Sequence, residues 1–289
     1  MTNEQVAISS SFRSQLRRRM LQARLTSSGL HKGQRRARTF GHSLDFSDYR
    51  AYHPGDDVRQ MDWNVYARTQ KYYIKRFLDE QELSVHLILD CSQSMAFDQQ
   101  KWHRMKEITA ALGFMSLAAE DRLSVSPLPN SMSPFRSKKG TSHVQQLFQY
   151  VQRIQSFEGT FADQLMHMKP TAGLCIVISD FLEPLDVLQP ALKMLRRRSS
   201  VRLVQMLSEE ELQPSFLGDL QLIDTESGKG LNVSARSGIL KAYKERLADH
   251  TESLNSYCLR LGMELIQVSA AQSSEDIVLK EMTKKGWVK

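Results

Sequence analysis

Five oxygen-bearing side chains have types and spacing that suit a metal site. Asp90, Ser92 and Ser94 follow an apolar run in LILDCSQSM, and Asp180 ends a second apolar run, LCIVISD. Thr160 lies between them in EGTFADQL, where a loop enters a predicted helix. Carboxylate and hydroxyl oxygens are hard ligands, which Mg2+ and Mn2+ prefer. Because only two of the five carry charge, a bound ion would stay electron-poor and could attract a carboxylate from another protein.

Each of these residues also has a simpler interpretation when it is taken alone. Ser and Asp are favoured helix N-caps, so D-x-S-x-S can be a capped strand–helix turn. Thr160 can cap the helix that follows it, Asp163 competes as an acid, and Asp180 can be an ordinary strand-end residue. Taken together, the set favours a metal site at the carboxyl edge of a sheet. We expect a solvent-facing site, where loss of the Asp90 side chain changes stability little.

The elements that must position these residues are predicted by alternating strand and helix patterns from Leu83 onward. Such alternation is typical of an α/β fold, with a mostly parallel sheet flanked by helices on both faces. In open sheets of this kind, ligands bind at the carboxyl ends of the strands. The predicted strands are SVHLILD, DRLSVSPLP, AGLCIVISDFL, SVRLVQML and MELIQVS. The predicted helices are KWHRMKEITAALGFMSLAAE, TSHVQQLFQYVQRIQSF, TFADQLMHM, PLDVLQPALKMLRRRS, residues 239–261 and SEDIVLKEM, and IDTESGKGLNVSA predicts a hairpin about Ser227 and Gly228.

A basic segment opens the chain. Residues 1–39 carry nine basic side chains against one acid, so they contribute +8 to the net charge of +7, and the remaining residues total −1. Phe12, Leu16 and Met20 are spaced by four residues, which predicts an amphipathic helix. The segment is either a surface for anionic lipid, nucleic acid or an acidic protein face, or a basic helix packed on its own domain. Because it holds few large apolar residues, we expect its removal to leave a folded protein.

The predicted organisation is a basic arm over residues 1–39, a segment over 40–83 packed on the main domain, and an α/β domain over 84–289. A length of 289 residues with 41% hydrophobic content suffices for a sizeable core. No apolar run approaches the roughly 20 residues that span a bilayer, and MTNEQVAISS has no signal-peptide pattern. Cys91, Cys175 and Cys258 are odd in number and far apart, which indicates reduced, buried thiols. We therefore expect a soluble, cytoplasmic protein.

Catalytic patterns are absent from the sequence. No G-x-x-x-x-G-K-[ST] motif occurs, so ATP hydrolysis would have to come from a partner. No G-x-S-x-G elbow surrounds Ser92, and the eight histidines include no H-E-x-x-H pair. His86 lies inside a predicted strand and is expected to be a packed or edge residue. A metal-assisted hydrolase using Asp90 and Asp180 stays open, but no general base is evident, so we expect a binding protein and not an enzyme.

The five-residue set resembles the metal-ion-dependent adhesion site of von Willebrand factor A domains, whose motif is D-x-S-x-S, then T, then D. All five positions are met in order. Gln93 stands where many such domains have glycine, and it contributes no ligand. The resemblance implies a von Willebrand factor A-like fold and a bound Mg2+ or Mn2+ that takes an Asp or Glu from a protein ligand.

A second resemblance covers nearly the whole chain. The residues that carry it are Gly41, Phe46, Arg50, Tyr52, Pro54, Gly55, Asp56, Asp57, Arg59, Asp62, Trp63, Ala67, Arg68, Glu80 and the run from Asp90 to Met95. With these residues the chain resembles the von Willebrand factor A-like proteins commonly associated with MoxR-type AAA+ ATPases, a family also called domain of unknown function fifty-eight. This resemblance implies a partner of such an ATPase in assembly, maturation or remodelling of other complexes.

The stretch from Gly41 to Glu82 carries most of that second resemblance and has two interpretations. In the structural interpretation, Pro54-Gly55 predicts a turn. An ion-pair network is predicted for Arg59, Asp62 and Arg68. Trp63 and Tyr66 are predicted to be buried anchors. As function, the same stretch is a docking face for the ATPase. We expect a structural role at least.

Two functions from different classes follow. One is a metal-dependent binding module that recruits or regulates a MoxR-like ATPase. The other is an adaptor whose basic arm binds nucleic acid or an anionic membrane, with a structural metal site. Polyanion binding weakens steeply as salt rises, whereas docking of a carboxylate on a metal responds chiefly to EDTA.

Overall fold

A computed structural model describes residues 8–23, 30–129, 132–169, 173–214, 218–223, 230–235 and 237–289. The chain divides into two compact units. The smaller unit is Leu30–Leu83, and the larger holds the described residues of Met1–Gly29 and Ser84–Lys289. All five candidate ligands lie in the larger unit.

The described strands and helices alternate along most of the chain. The strands are β1 (Leu30–Ala51), β2 (Tyr73–Asp90), β3 (Arg122–Leu128), β4 (Phe135–Lys138), β5 (Leu174–Ser179), β6 (Ser200–Leu207), β7 (Gly218–Ile223), β8 (Gly230–Ala235) and β9 (Glu264–Ser269). The α-helices are α1 (Ser10–Leu16), α2 (Trp63–Thr69), α3 (Gln93–Phe97), α4 (Gln99–Ala118), α5 (Val144–Gln152), α6 (Phe161–Met166), α7 (Leu185–Arg196), α8 (Glu209–Leu212), α9 (Ser237–Arg260), α10 (Ser274–Asp276) and α11 (Met282–Lys284). Short 3-10 turns cover Val58–Gln60 and Thr141–His143, and a π-helical turn covers Ile277–Glu281.

A mostly parallel sheet forms the centre of the larger unit. Its strand order is β4-β3-β2-β5-β6-β9, and all neighbours are parallel except β3 and β4. Every residue of β5 is buried, as expected for a strand covered on both faces. The predicted α/β fold, with a mostly parallel sheet flanked by helices, is confirmed.

The register of β2 and β5 brings their polar ends together. In this parallel pair Leu89 lies opposite Ile178, so Asp90 and Ser179 follow at the same level and Asp180 comes one residue later. The carboxyl ends of adjacent parallel strands meet at one edge of the sheet. The two aspartates predicted as ligands are therefore neighbours at that edge.

The helices occur where the sequence predicts them, with differences at their ends. Asp98 caps α4 by accepting a hydrogen bond from the Lys101 N–H at 2.8 Å. The helix has no side chain at Gly113, where a Cβ would lie 2.6 Å from a Leu147 methyl carbon, so α5 packs closely against α4. The closing helix is interrupted by its π-helical turn. Strands β7 and β8 form the predicted antiparallel hairpin, whereas Ser227 and Gly228 lie outside the described residues.

The described part of the basic segment is packed into the larger unit. Ser9 caps α1, and Phe12 and Leu16 are buried on it. The chain then pairs with the C-terminal segment, because Met20 and Lys289 exchange two backbone hydrogen bonds. Of the two interpretations of the segment, residues 8–23 therefore fit the basic helix packed on its own domain, and their buried Phe12 and Leu16 argue against the expectation that the segment can be removed without effect on folding. Met20, predicted to share the apolar face of the helix, lies beyond α1 and is 38% exposed.

The smaller unit is built on the antiparallel pair β1–β2. Asp62 caps α2 by accepting from the N–H groups of Asn64 and Val65. An ion pair joins Arg50 to Asp56. The described contacts differ from the predicted ion-pair network of Arg59, Asp62 and Arg68. The Arg68 guanidinium donates to the carbonyl of Asn64, and Asp62 serves as a helix cap.

The aromatic residues of α2 correct a second expectation. Trp63 is 60% exposed and does not act as a buried anchor. It stands edge-on to Tyr66, and Tyr66 stacks on Tyr72 with ring centroids 4.5 Å apart. The rings therefore contact one another and do not fill a core. Whether Gly41 to Glu82 also serves as a docking face stays a prediction.

Two further expectations concern the described residues as a whole. Cys91, Cys175 and Cys258 are buried and unpaired, as predicted. None of the described helices has the length and apolar character needed to cross a bilayer.

Leu16 tests whether α1 belongs to the core. Leu16 has no exposed surface, so Leu16→Ala should lower the free energy of unfolding by about 2–5 kcal/mol. Met20→Ala is the matched control, because Met20 lies four residues away and is largely outside the core. Urea denaturation measures both. Equal, small losses would show that the segment is peripheral.

His86 gives a pH-dependent contribution to stability. Its ring Nε2 lies 2.8 Å from the Ser126 hydroxyl, and burial lowers the pKa of His86 from 6.5 to about 4. The unfolded chain therefore takes up a proton first, so this contribution is full above pH 6.5 and is lost as pH falls toward 4. The loss amounts to about 3 kcal/mol. Chemical denaturation measures this loss: the free energy of unfolding of wild type, minus that of His86→Gln, should be about 3 kcal/mol larger at pH 7.5 than at pH 4.5. The same value at both pH values would contradict the prediction.

Candidate metal centre

Asp90 is the centre of a hydrogen-bonded cluster of oxygens. Its Oδ1 accepts from the Ser92 N–H at 2.9 Å and from the Ser92 hydroxyl at 2.6 Å. Its Oδ2 accepts from the Ser179 hydroxyl at 2.5 Å. The Ser92 and Ser94 hydroxyl oxygens are 3.0 Å apart. Three of the five predicted ligands are thus brought into direct contact.

Thr160 reaches the same edge of the sheet through the loop that precedes α6. The Phe157 N–H donates to the Cys91 carbonyl at 2.9 Å, which ties this loop to the residue after Asp90. Gly159 has φ +134°, and a Cβ there would lie 3.2 Å from the Pro129 ring at the end of β3. Thr160 occupies the N-cap position of α6 without a side-chain capping bond. The Thr160 hydroxyl therefore does not cap α6, which was the simpler interpretation of this residue.

Glu183 caps α6 in place of Thr160. Its carboxylate accepts from the N–H groups of Phe161 at 3.0 Å and Ala162 at 3.1 Å. A carboxylate at a helix N-terminus satisfies free N–H groups and complements the helix dipole. This contact joins the loop after β5 to the loop that carries Thr160.

Asp180 is paired with a buried lysine. The Lys101 ammonium lies 3.1 Å from Asp180 Oδ2 and 2.7 Å from Glu211 Oε1, and the Lys101 side chain has no exposed surface. The other Asp180 oxygen accepts from the Leu182 N–H at 3.3 Å. Glu211 is held in turn by a capping box with Ser208 at the start of α8. An ion pair therefore extends from the strand end to α8.

The expectation of a solvent-facing site is wrong for the two aspartates. Asp90 is 2% exposed and Asp180 is 3% exposed, and Ser92 is also buried. Two neighbours of the strand ends are themselves packed there, since Met95 of α3 is fully buried and the loop before Thr160 is hydrogen-bonded to Cys91. Only Ser94 and Thr160 keep partial exposure. Because Asp90 is buried and hydrogen-bonded, truncating it to alanine would disturb packing, and asparagine is the better test.

Burial and a neighbouring charge act together on Asp90. Desolvation, followed by repulsion from Asp180, raises the pKa of Asp90 to about 7, although hydrogen bonds from Ser179 and Ser92 oppose the rise. For Lys101, burial lowers the pKa, but the carboxylates of Asp180 and Glu211 outweigh it and leave the pKa raised. The lysine is therefore a permanent cation, and Asp90 is the carboxylate with the least compensation.

Sequence reasoning missed Ser179, Lys101, Glu183 and Glu211. One signal was available for Lys101: it lies four residues before Met105, on the same helical stripe as the predicted core positions Ile108 and Leu112. A lysine on a buried stripe needs an acidic partner. No comparable local pattern marks Ser179 or Glu211.

The donor set fits a hard divalent cation on two observations. First, Asp90, Ser92 and Ser94 place carboxylate and hydroxyl oxygens in contact, which is the chemistry that Mg2+ and Mn2+ accept. Second, the Lys101 ammonium pairs with Asp180 and Glu211 and not with Asp90, so with Asp90 ionised these three carboxylates and one ammonium carry a net formal charge of −2. Within the described residues no three His, Cys, Asp or Glu side chains form a metal-binding group, so a metal here would depend on the hydroxyls.

Comparison with known proteins places the chain in a family. The family model described as "Protein of unknown function DUF58" matches residues 48–253, which is more than half of the chain. The chain belongs to the DUF58 family. The match runs from the smaller unit through the candidate centre and into α9, so it includes all five predicted ligands.

Curated relatives of this DUF58 chain include "Uncharacterized protein Rv1480" of Mycobacterium tuberculosis and "Uncharacterized protein Mb1516" of Mycobacterium bovis. Each is 29% identical over 190 residues, which cover 62% of this chain and 60% of the relative. The match thus spans less than two thirds of the length of these relatives.

Solved structures with some similarity include BatB from Bacteroides thetaiotaomicron, at 14% identity with a TM-score of 0.39, covering 71% of this chain and 98% of that one. Another is a von Willebrand factor type A protein from Catenulispora acidiphila, at 15% identity with a TM-score of 0.33, covering 61% and 43%. The description of the fold rests on the strand order given above and not on these similarities.

Among the described ion pairs, we expect the pair of Lys101 with Asp180 to cost the most stability when it is broken. Lys101→Met leaves Asp180 without its buried cation, so the free energy of unfolding should fall by about 3–5 kcal/mol. Lys280→Met is the matched control, because Lys280 pairs with Asp276 at the surface and such pairs contribute little. Urea denaturation in EDTA measures both variants. If the two variants were equally stable, the conclusion that Lys101 compensates the buried Asp180 carboxylate would be wrong.

Proposed function

We propose that this DUF58 chain is a metal-dependent protein-binding module and not an enzyme. The observation that carries the proposal is the chain of oxygen contacts from buried Asp90 to Ser92 and from Ser92 to Ser94, one strand away from Asp180. These residues would hold Mg2+ or Mn2+, with Thr160 and Asp180 acting directly or through water. When bound, the ion supplies an electrophilic position that attracts a carboxylate from a partner.

Lys101 supports binding of a partner carboxylate. Its ammonium pairs with both Asp180 and Glu211, so it offsets part of the negative charge that Asp180 would bring to the ion. An ion held by weakly charged ligands keeps a stronger demand for an anionic ligand. A protein presenting Asp or Glu fits this demand, whereas a neutral ligand does not.

The proposed partner is a MoxR-type AAA+ ATPase, acting with this chain in assembly or remodelling of protein complexes. Support comes from the resemblance of the Gly41–Glu82 stretch and from membership of the DUF58 family. In this arrangement the ATPase supplies hydrolysis and the DUF58 chain supplies recognition.

A second candidate is binding of nucleic acid or an anionic membrane through the N-terminal segment, with a structural metal site. One observation favours it: Arg17 and Arg18, which follow α1, are exposed. Against it, Arg13 lies over the Phe148 ring and donates to the Ile8 carbonyl, so part of the charge serves packing.

Titration calorimetry with the MoxR-type ATPase encoded in the same genome tests the proposal. Wild type in Mg2+ should bind at least about tenfold more tightly than wild type in EDTA, a difference of about 1.4 kcal/mol. Asp90→Asn in Mg2+ should bind as weakly as wild type in EDTA, because it lacks the charge that holds the ion. Asp163→Ala is the matched control, since it removes one exposed carboxylate near Thr160, and it should bind like wild type.

Three outcomes separate the candidates. Equal affinity with Mg2+ and EDTA, with Asp90→Asn still binding, would show that the oxygens are only caps and turns. Binding to DNA or anionic vesicles that collapses as salt rises, and ignores EDTA, would favour the second candidate. A rise in the wild-type unfolding temperature with Mg2+ alone, absent in Asp90→Asn, would support an ion at this position.

A further inference from the structure

The C-terminal ends of helices α7 and α9 are joined in the larger unit. The Arg196 guanidinium, in the last turn of α7, donates to the Leu261 carbonyl just beyond α9 at 2.9 Å. The Tyr257 hydroxyl of α9 donates to the Gln189 carbonyl of α7 at 3.0 Å. Each helix ends where the next strand, β6 or β9, begins. The joined ends therefore lie at the amino-end edge of the sheet, opposite the edge that carries the candidate ligands.

Exposed cations without acids among them occupy these joined ends. They are Lys193, Arg197, Arg198 and Arg260. The stretches 193–200 and 257–263 contain no Asp or Glu, and none of the four cations forms an ion pair with another described residue. The nearest acid along the chain, Glu264, is already compensated, because the Arg202 guanidinium lies 3.3 Å from its carboxylate. The positive charge here is thus open to an outside anion.

The helix dipole explains only part of this charge. Cations at helix C-termini are stabilising, and Arg196 has this role, since its guanidinium binds the carbonyl beyond α9. That role does not require four further cations that stay in water. Along the exposed part of α9, residues 241–252 carry three cations and three acids, which is the balance of a solvated helix face. The charge of α9 is therefore unbalanced only at the end that joins α7.

An apolar side chain stands among these cations. Leu259 precedes Arg260 and, at 64% exposed, is the most exposed of the described leucines. The turn that carries it is fixed, because Cys258 is buried and the Arg260 guanidinium lies 5.6 Å from the centre of the Tyr257 ring. The exposure of Leu259 is therefore a property of a packed helix end. The basic patch is defined as Leu259 with Lys193, Arg197, Arg198 and Arg260.

We propose that the basic patch docks on the surface of an anionic lipid bilayer. This role is separate from the metal site and does not depend on it. Guanidinium groups pair with phosphate oxygens in a bidentate geometry, so the three arginines suit lipid phosphates. Leu259 enters the boundary between headgroups and acyl chains, as the apolar residues of interfacial helices do. The candidate ligands, at the opposite edge of the sheet, stay accessible to a protein.

Two other anionic occupants fit the basic patch less well. A nucleic acid pairs its backbone with cations, but it brings phosphates and not apolar surface to Leu259. A protein interface draws most of its affinity from a central cluster of large buried side chains, and the basic patch holds one leucine. A bilayer needs no such cluster, because each cation near an anionic surface adds to the attraction.

Co-sedimentation of the full chain with lipid vesicles tests the basic patch. Wild type should bind vesicles of phosphatidylcholine with about one third phosphatidylglycerol, and not vesicles of phosphatidylcholine alone. The double variant R197Q/R198Q should bind about 25-fold more weakly, at about fivefold for each arginine. The double variant R17Q/R18Q is the matched control. It removes two adjacent exposed arginines from the N-terminal segment and should bind like wild type.

A second pair of variants tests the leucine. Leu259→Ser should weaken binding to the anionic vesicles by about fivefold, because an apolar side chain no longer leaves water. Ile239→Ser is its control, since Ile239 is 45% exposed and lies near the other end of α9, about 30 Å away along the helix. Thermal unfolding should be unchanged in all four variants, because the altered side chains are exposed.

The outcomes separate the basic patch from the other surfaces of the chain. Vesicle binding that R197Q/R198Q retains in full would overturn the proposal, and its loss in R17Q/R18Q would assign the binding to the N-terminal segment. Wild type that binds DNA or polyglutamate but no vesicles would assign the basic patch to a nucleic acid or an acidic protein. Wild type that binds none of these would make it a solvated helix end. EDTA should leave vesicle binding unchanged, so a failed metal site and a failed basic patch are distinguishable.

Discussion

The buried ammonium of Lys101 is the interaction on which the candidate centre depends. Two aspartates stand at the ends of adjacent parallel strands and are almost dry. Charges in such a place are costly unless they are paired and hydrogen-bonded. Lys101 compensates Asp180 and Glu211, and hydroxyl groups compensate Asp90. The capping box at Ser208 and the cap at Asp98 hold the two elements that carry these groups. The strand ends keep their polar residues only because α4 and α8 supply this framework.

Most of the fold could be predicted from the sequence, because its signals are local. Buried strands such as LCIVISD are continuous apolar runs, and α4 shows helical spacing of apolar residues, so both are visible in a few residues. Two misjudgements had physical causes. Trp63 was expected to be buried because large aromatic residues usually are, but its helix α2 presents it outward. The apolar residues of α1 were judged too few to matter, yet Leu16 is fully buried. Periodicity locates a helix, but it does not show what covers it.

The candidate centre was less predictable, because its members are distant along the chain. The D-x-S-x-S motif contains its own geometry, since Ser92 binds Asp90 two residues away. Lys101 and Asp180 are 79 residues apart, Lys101 and Glu211 are 110 apart, and Asp90 and Ser179 are 89 apart. Only the sheet register and the packing of α4 bring these pairs together. A motif predicts its own oxygens, whereas the charges that set their chemistry come from elements that the motif does not contain.

The buried charge network at the strand ends has a consequence for the proposed function. Because Lys101 already offsets part of the charge of Asp180 and Glu211, a metal ion would not be the sole compensation of the charges at the strand ends. A divalent ion would then compensate chiefly Asp90, whose described hydrogen-bond donors are the neutral N–H and hydroxyl groups of Ser92 and Ser179. Under the proposed function we therefore expect the chain alone to retain the ion weakly and to retain it more strongly when a partner supplies a carboxylate. Ion and partner would thus bind cooperatively, with each site lowering the cost of filling the other.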